Sequence, residues 1–136
     1  LKLLCRGVAP IDVSVADARL LLSHGAHASP PWVGLSTHNA EQARQAMQQG
    51  ADMIGFGPVF DTQTKERPDP TTGLSLLESI CRAVTVPVVA IGGLTPARAQ
   101  EAYAAGATYV AAISAISQAS DMVAQTRAFA AAVTNP

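Results

Sequence analysis

The chain has 136 residues, a net charge of −1, 49% apolar residues and 14% charged residues. That length suits one domain, and the apolar share is enough for a core and excludes a disordered chain. The near-neutral charge gives no basic field for nucleic acid or an anionic membrane. No apolar run reaches the roughly 18 residues of a membrane span. The opening Leu1-Lys2-Leu3-Leu4-Cys5 is too short for the apolar stretch of a signal peptide, so a cytoplasmic protein is the expectation. Cys5 and Cys81 lie far apart without a C-x-x-C pair, which points to neither a disulfide scaffold nor zinc.

In chain order, "GVAPI" (7–11) reads as a short strand and "VSVADARLLLSHG" (13–25) as a helix capped by Ser14 and stopped by Gly25. The polar, Pro-rich 23–31 is a connection. "WVGLS" (32–36) reads as a strand, followed by the helix "NAEQARQAMQQG" (39–50). Asn39 is its N-cap, Gln42 has capping-box spacing and Gly50 sits at the C-cap, with Ala43, Ala46 and Met47 on one face.

"MIGFGPVF" (53–60) is the next strand and "GLSLLESICRAV" (73–84) the next helix. Ser75 and Glu78 have capping-box spacing there, and Leu76, Leu77 and Ile80 form the apolar stripe. "VPVVAIGG" (86–93) is continuously apolar, as in a strand covered on both faces. "TPARAQEAYAAG" (95–106) starts with Thr95 at N-cap and Pro96 at N1 and stops at Gly106. "YVAAIS" (109–114) is a strand. "SDMVAQTRAFAAAV" (120–133) is a closing helix that would turn Met122, Val123, Ala128 and Phe129 inward.

Repeated strand–helix units imply right-handed crossovers and a parallel sheet, as either a doubly wound sheet or a (β/α)₈ barrel. Both folds place function at the C-terminal ends of the strands. The first complete strand ends in Ser36-Thr37-His38-Asn39. Those hydroxyls and the amide suit an ordinary helix start as well as a site, and His38 suits a structural role as well as acid–base work. The second ends in Asp61-Thr62-Gln63-Thr64-Lys65, where hydroxyls and an ammonium suit a phosphate, against the alternative of a solvated polar loop. The third ends in Gly92-Gly93, which would let a ligand approach the backbone. The fourth ends in Ile113-Ser114-Ala115-Ile116-Ser117, small residues expected to leave backbone N–H groups for an anion. The last two ends together fit the phosphate site of barrel enzymes.

At these residues the chain resembles a known family. "GLSTH", "GADMIGFGPVFDTQTK", "VPVVAIGGLTPARAQEAYAAGA" and "AAISAIS" look like the C-terminal half of thiamine-phosphate synthase. The resemblance implies a (β/α)₈ TIM-type barrel, with residues 1–136 as one partial domain holding roughly strands 4/5 to 8. It implies the coupling of hydroxymethylpyrimidine diphosphate to carboxythiazole phosphate, giving thiamine phosphate, diphosphate and carbon dioxide with the help of magnesium. Carried over by position, Ser36 and Lys65 are the catalytic contacts to the pyrimidine diphosphate. Thr62, Gln63 and Thr64 hold the thiazole phosphate or its carboxylate, with Gly93, Ile113 and Ser114 contributing backbone groups. Asp12 falls at the family's magnesium-binding aspartate, although "GVAPID" replaces the His-Leu-Gly-Gln run that normally precedes it.

The family's Gln-x-Arg-x-Lys strand and Asn-Asp pair have no counterpart in these residues. The isolated chain is therefore expected to be inactive and, with unpaired strand edges, to self-associate or to need a separate N-terminal half-barrel. Three rival functions stand beside the synthase. One is a thiazole tautomerase with His38 as acid and base. Another is a non-catalytic half-barrel that binds a phosphorylated ligand. The third is a generic sugar-phosphate barrel enzyme, since phosphate sites of this layout are widespread and fold does not fix function.

Overall fold

The computed structural model of the chain describes residues 14–23, 31–62 and 70–134. The expected strand at 7–11, the stop at Gly25 and most of the 23–31 connection lie outside them. The elements run α1 (Val15–Ser23), β1 (Gly34–Thr37), α2 (Ala40–Gln48), β2 (Met53–Phe56), α3 (Leu74–Ala83), β3 (Val88–Ile91), α4 (Pro96–Ala104), β4 (Tyr109–Ala111), α5 (Ser114–Ser117) and α6 (Met122–Thr134).

The four strands form one parallel sheet in the order β1-β2-β3-β4. Each strand pairs with the next in sequence, and the order never reverses. Right-handed crossovers advancing in one direction put every crossover helix on the same face. The register sorts the side chains accordingly. Leu35, Ile54 and Val88 form one rank, and Thr37, Phe56, Ala90 and Val110 another. Both ranks point toward the helices, and Leu35, Ile54, Phe56, Val88 and Ala90 are buried there. The rank between them is Ser36, Gly55, Val89 and Tyr109. Alternation aims it at the opposite face, and Tyr109 is 47% exposed.

Leu77 and Ile80 of α3, Ala43 and Ala46 of α2, and Ala99 and Ala102 of α4 close over the helix-side ranks. Burial of each large apolar side chain contributes about 1.5–3 kcal/mol. Small alanines on α2 and α4 let those helices lie close to the sheet.

Most expected caps are present. Asp17 N–H donates to Ser14 Oγ at 3.0 Å, Gln42 N–H to Asn39 Oδ1 at 2.9 Å, and Arg98 N–H to Thr95 Oγ1 at 3.3 Å. Two details differ. The Gln42 side chain accepts from His38 N–H at 2.8 Å, one residue before the cap. The Ser75–Glu78 box does not form, because α3 opens at Leu74 behind Gly73 and its N-cap has no side-chain bond. Ser75 is already inside the helix, and Glu78 pairs with Arg82 one turn on.

The last element also departs from its reading. Phe129 and Ala132 are its buried residues, while Met122 and Val123 are 56% and 61% exposed and Ala128 is exposed. The buried positions of α6 fall in its second half, and the apolar residues of its first turn stay exposed. β4 is three residues long, and Ser114 opens the separate short helix α5.

At the N-terminal ends of the strands, Asp52 ties three elements together. Its Oδ2 accepts from Val33 N–H at 2.6 Å and its Oδ1 from Arg19 of α1 at 3.0 Å. Arg19 also donates to Gly50 O at 2.7 Å. Cys81, half-buried on α3, has its thiol pushed up by burial. No helix among the described residues is long and apolar enough to cross a membrane.

Candidate functional site at the C-terminal strand ends

β1 delivers Ser36, Thr37 and His38. Thr37 is fully buried, and its hydroxyl donates to Gly55 O at 3.1 Å. Of the two adjacent hydroxyls, Thr37 therefore serves the fold, and Ser36 lies on the helix-free face. The His38 ring bonds through Nδ1 to the Gly57 carbonyl oxygen. A carbonyl oxygen only accepts, so Nδ1 carries a proton in this contact.

Beyond β2, the backbone continues through a cis Gly57–Pro58 bond. Gly57 N–H donates to Thr37 O at 3.2 Å, Val59 N–H to Ile91 O at 2.9 Å and Phe60 N–H to Gly92 O at 3.2 Å. These bonds carry Asp61 and Thr62 to the end of the sheet. The chain returns at Pro70. There Thr72 donates to Pro58 O from its N–H at 2.8 Å and from its hydroxyl at 3.1 Å, and Gly73 N–H donates to Val59 O at 3.1 Å. The base of the loop is thus stitched from both sides. Gln63, Thr64 and Lys65, the rest of the expected grip, lie outside the described residues, as does Asp12.

β3 ends in the diglycine, with φ of +91° at Gly92 and +63° at Gly93. A Cβ on Gly93 would stand 2.3 Å from Asp61 O and 2.8 Å from Phe60 O. Only glycine accepts both the left-handed backbone and that approach. The diglycine therefore sits directly against the segment that launches the loop after β2.

At the end of β4, Ile113 is 69% exposed and Ser114 opens α5. Ile116 and Ser117 N–H both donate to Ile113 O, at 3.0 and 2.9 Å. The expectation that this turn leaves its amides to an anion therefore fails for those two, because a four-residue helix consumes them internally.

The structure sets Gly93 against the Phe60–Asp61 backbone, which Thr62 directly follows. Ser36 and His38 lie at the end of the neighbouring β1, and Ile113 and Ser114 at the end of β4 on the other side. Sequence reading missed Arg98 of α4. Its Nη1 donates to Gly93 O at 2.8 Å, and its guanidinium lies 4.8 Å from the Phe60 ring centroid. A signal was present: a long side chain in the first turn of a helix leans back toward the N-terminus and the preceding loop.

Among the described residues, no three His, Cys, Asp or Glu side chains come together as a metal cage.

The family model for thiamine monophosphate synthase matches residues 8–116. The thiamine-phosphate synthase of Methanocella arvoryzae is 47% identical over 95 residues, 70% of this chain and 45% of that protein. That of Chloroflexus aurantiacus is 39% identical over 122 residues, 90% of this chain and 54% of that protein. Among solved structures, thiamine phosphate pyrophosphorylase from Pyrococcus furiosus matches with a TM-score of 0.70 at 34% identity, over 79% of this chain and 50% of that one. The chain spans about half the length of the relatives it matches. The match takes in all four strand ends and the diglycine turn between them, and by it the chain belongs to the thiamine monophosphate synthase family.

Proposed function

We propose that this chain is the phosphate-gripping part of a thiamine-phosphate synthase, which joins hydroxymethylpyrimidine diphosphate to carboxythiazole phosphate and releases diphosphate and carbon dioxide. One observation carries the reading. Ser36, the Phe60-Asp61-Thr62 segment, Gly93 and Ser114 stand at the C-terminal ends of four successive parallel strands.

In this reading residues 1–136 form one partial (β/α)₈ domain, roughly strands 4/5 to 8. An unreversed strand order, crossover helices on one face and relatives of twice the length support it. Ser36 and Lys65 contact the pyrimidine diphosphate. Thr62, Gln63 and Thr64 hold the thiazole phosphate or carboxylate, with backbone groups of Gly93, Ile113 and Ser114. The chemistry asks for donors and positive charge where negative charge builds on the departing diphosphate. An ammonium and several hydroxyls supply that without a side-chain nucleophile. Magnesium and an Asp12 contact to it belong to the same proposal and enter with the rest of the barrel. The partners are two small phosphorylated substrates and the complementary N-terminal half.

Calorimetric titration of the chain with carboxythiazole phosphate tests the grip. Saturable heat is expected, and none at millimolar ligand would refute it.

A thiazole tautomerase is the second reading, favoured by the bond that fixes the His38 ring against Gly57. There Nε2 would move the thiazole proton.

A further inference from the structure

We infer that Arg98 is a positioning residue of the phosphate grip, tying the diglycine turn after β3 to the backbone that launches the loop after β2; this rests on the function proposed above. The Gly92-Gly93 turn has no side chains of its own with which to hold a shape. Its conformation is held by contacts made to it. Phe60 N–H donates to Gly92 O at 3.2 Å, Arg98 donates to Gly93 O at 2.8 Å, and the same guanidinium packs on the Phe60 ring at 4.8 Å. These three contacts close a ring through Phe60, the diglycine and Arg98. Asp61 and Thr62 follow Phe60 directly, and a Cβ on Gly93 would stand 2.3 Å from Asp61 O.

The residue type matters. A planar guanidinium donates in its plane while its face lies on an aromatic ring, and an ammonium cannot do both equally well. The polar partner of Arg98 is a neutral carbonyl, so its positive charge stays uncompensated by that bond. It adds to the potential that draws a phosphate to the strand ends. A guanidinium that merely covered surface would not need to meet both loops at once.

The test uses the chain with Arg98→Met, which keeps the apolar stem, and Arg98→Lys, which keeps one donor and the charge. Affinity for carboxythiazole phosphate is measured by calorimetry, thermal unfolding is followed in parallel, and the amide NMR shifts of Gly93, Asp61 and Thr62 are recorded without ligand. Arg98→Met is expected to weaken binding about tenfold, the effect of losing one charge-assisted hydrogen bond behind a binding loop. It should shift all three amides while the melting midpoint stays near that of the parent. Arg98→Lys should recover part of the affinity. Parent-like affinity and unmoved amides in Arg98→Met would overturn the inference. Should Arg98→Met fail to fold, parent-like affinity and shifts in Arg98→Lys would overturn it equally. If the parent chain itself binds nothing, the proposed function fails, and the ligand-free shifts still decide whether Arg98 holds the two loops together.

Discussion

His38 Nδ1 donates to the carbonyl oxygen of Gly57, joining the C-terminal ends of β1 and β2. The contact fixes the Nδ1 proton and the ring plane, and it separates the two enzyme readings. A synthase needs His38 only as a brace, whereas a tautomerase needs its Nε2. In the barrel completed with an N-terminal half, His38→Asn should keep coupling activity within a few-fold and cost about 1 kcal/mol of stability, the net value of one hydrogen bond. Steady-state diphosphate release and urea unfolding measure both. Intact coupling dismisses the tautomerase.

Gly93→Ala tests the close approach of the two loops. The added methyl would stand 2.3 Å from Asp61 O, on a backbone with φ of +63°. Neither neighbour is a flexible side-chain end that could swing away. The variant should lose at least about 1 kcal/mol in thermal or urea unfolding, and carboxythiazole phosphate binding should fall with it. Unchanged stability would mean that the turn relaxes freely.

Asp52→Ala probes the opposite end of the strands. Removing the carboxylate leaves the N–H of fully buried Val33 without its 2.6 Å acceptor. An orphaned buried amide costs about 1–3 kcal/mol. The Arg19 contact adds little, since the two side chains are 41% and 33% exposed and water screens the pair. Urea midpoints should fall while phosphate-ligand affinity in the folded chain holds.

Among the described residues, β1 and β4 each pair on one side only, and Tyr109 and Ile113 are exposed beside them. Thr108 N–H points to β3, so alternation turns Ala111 N–H toward the open edge. The 136-residue chain alone should associate with rising concentration in analytical ultracentrifugation. Ala111→Pro removes an outward donor without breaking the ladder to β3, and it should shift the equilibrium toward monomer. A monodisperse, cooperatively melting parent monomer would refute the prediction.

Burial raises the Cys81 thiol above its ordinary value of 9.0. At pH 8 its thiolate is scarcer than that of a free cysteine, so iodoacetamide should label it more slowly than a cysteine peptide. In the unfolded chain the thiol ionises first. The contribution of Cys81 is therefore complete below pH 9.0 and is lost as pH climbs past the raised folded value. Labelling rates across pH 7–10 check the direction.

Local signals alone determined much of this protein. Asn39 and Thr95 announce helix starts because their side chains complete backbone donors within three residues. Continuous apolar runs such as 86–93 announce buried parallel strands. The motif residues from Ser36 to Ser114 disclose the family. Tertiary structure decided what depends on partners distant in sequence. Thr37 and Ser36 look alike in the chain, and only the register sends one into the core beside Gly55 and the other to the helix-free face. Ser75 and Glu78 have the spacing of a cap, but Gly73, bonded to Val59, starts α3 two residues earlier. Met122 and Val123 are apolar, but they stay exposed while Phe129 and Ala132 take the buried positions of α6. Arg98 reads as an ordinary helix cation until the fold lays Phe60 and Gly93 beneath it. Spacing encodes contacts within a turn, whereas contacts between strand ends exist only once the sheet has set which ends are neighbours.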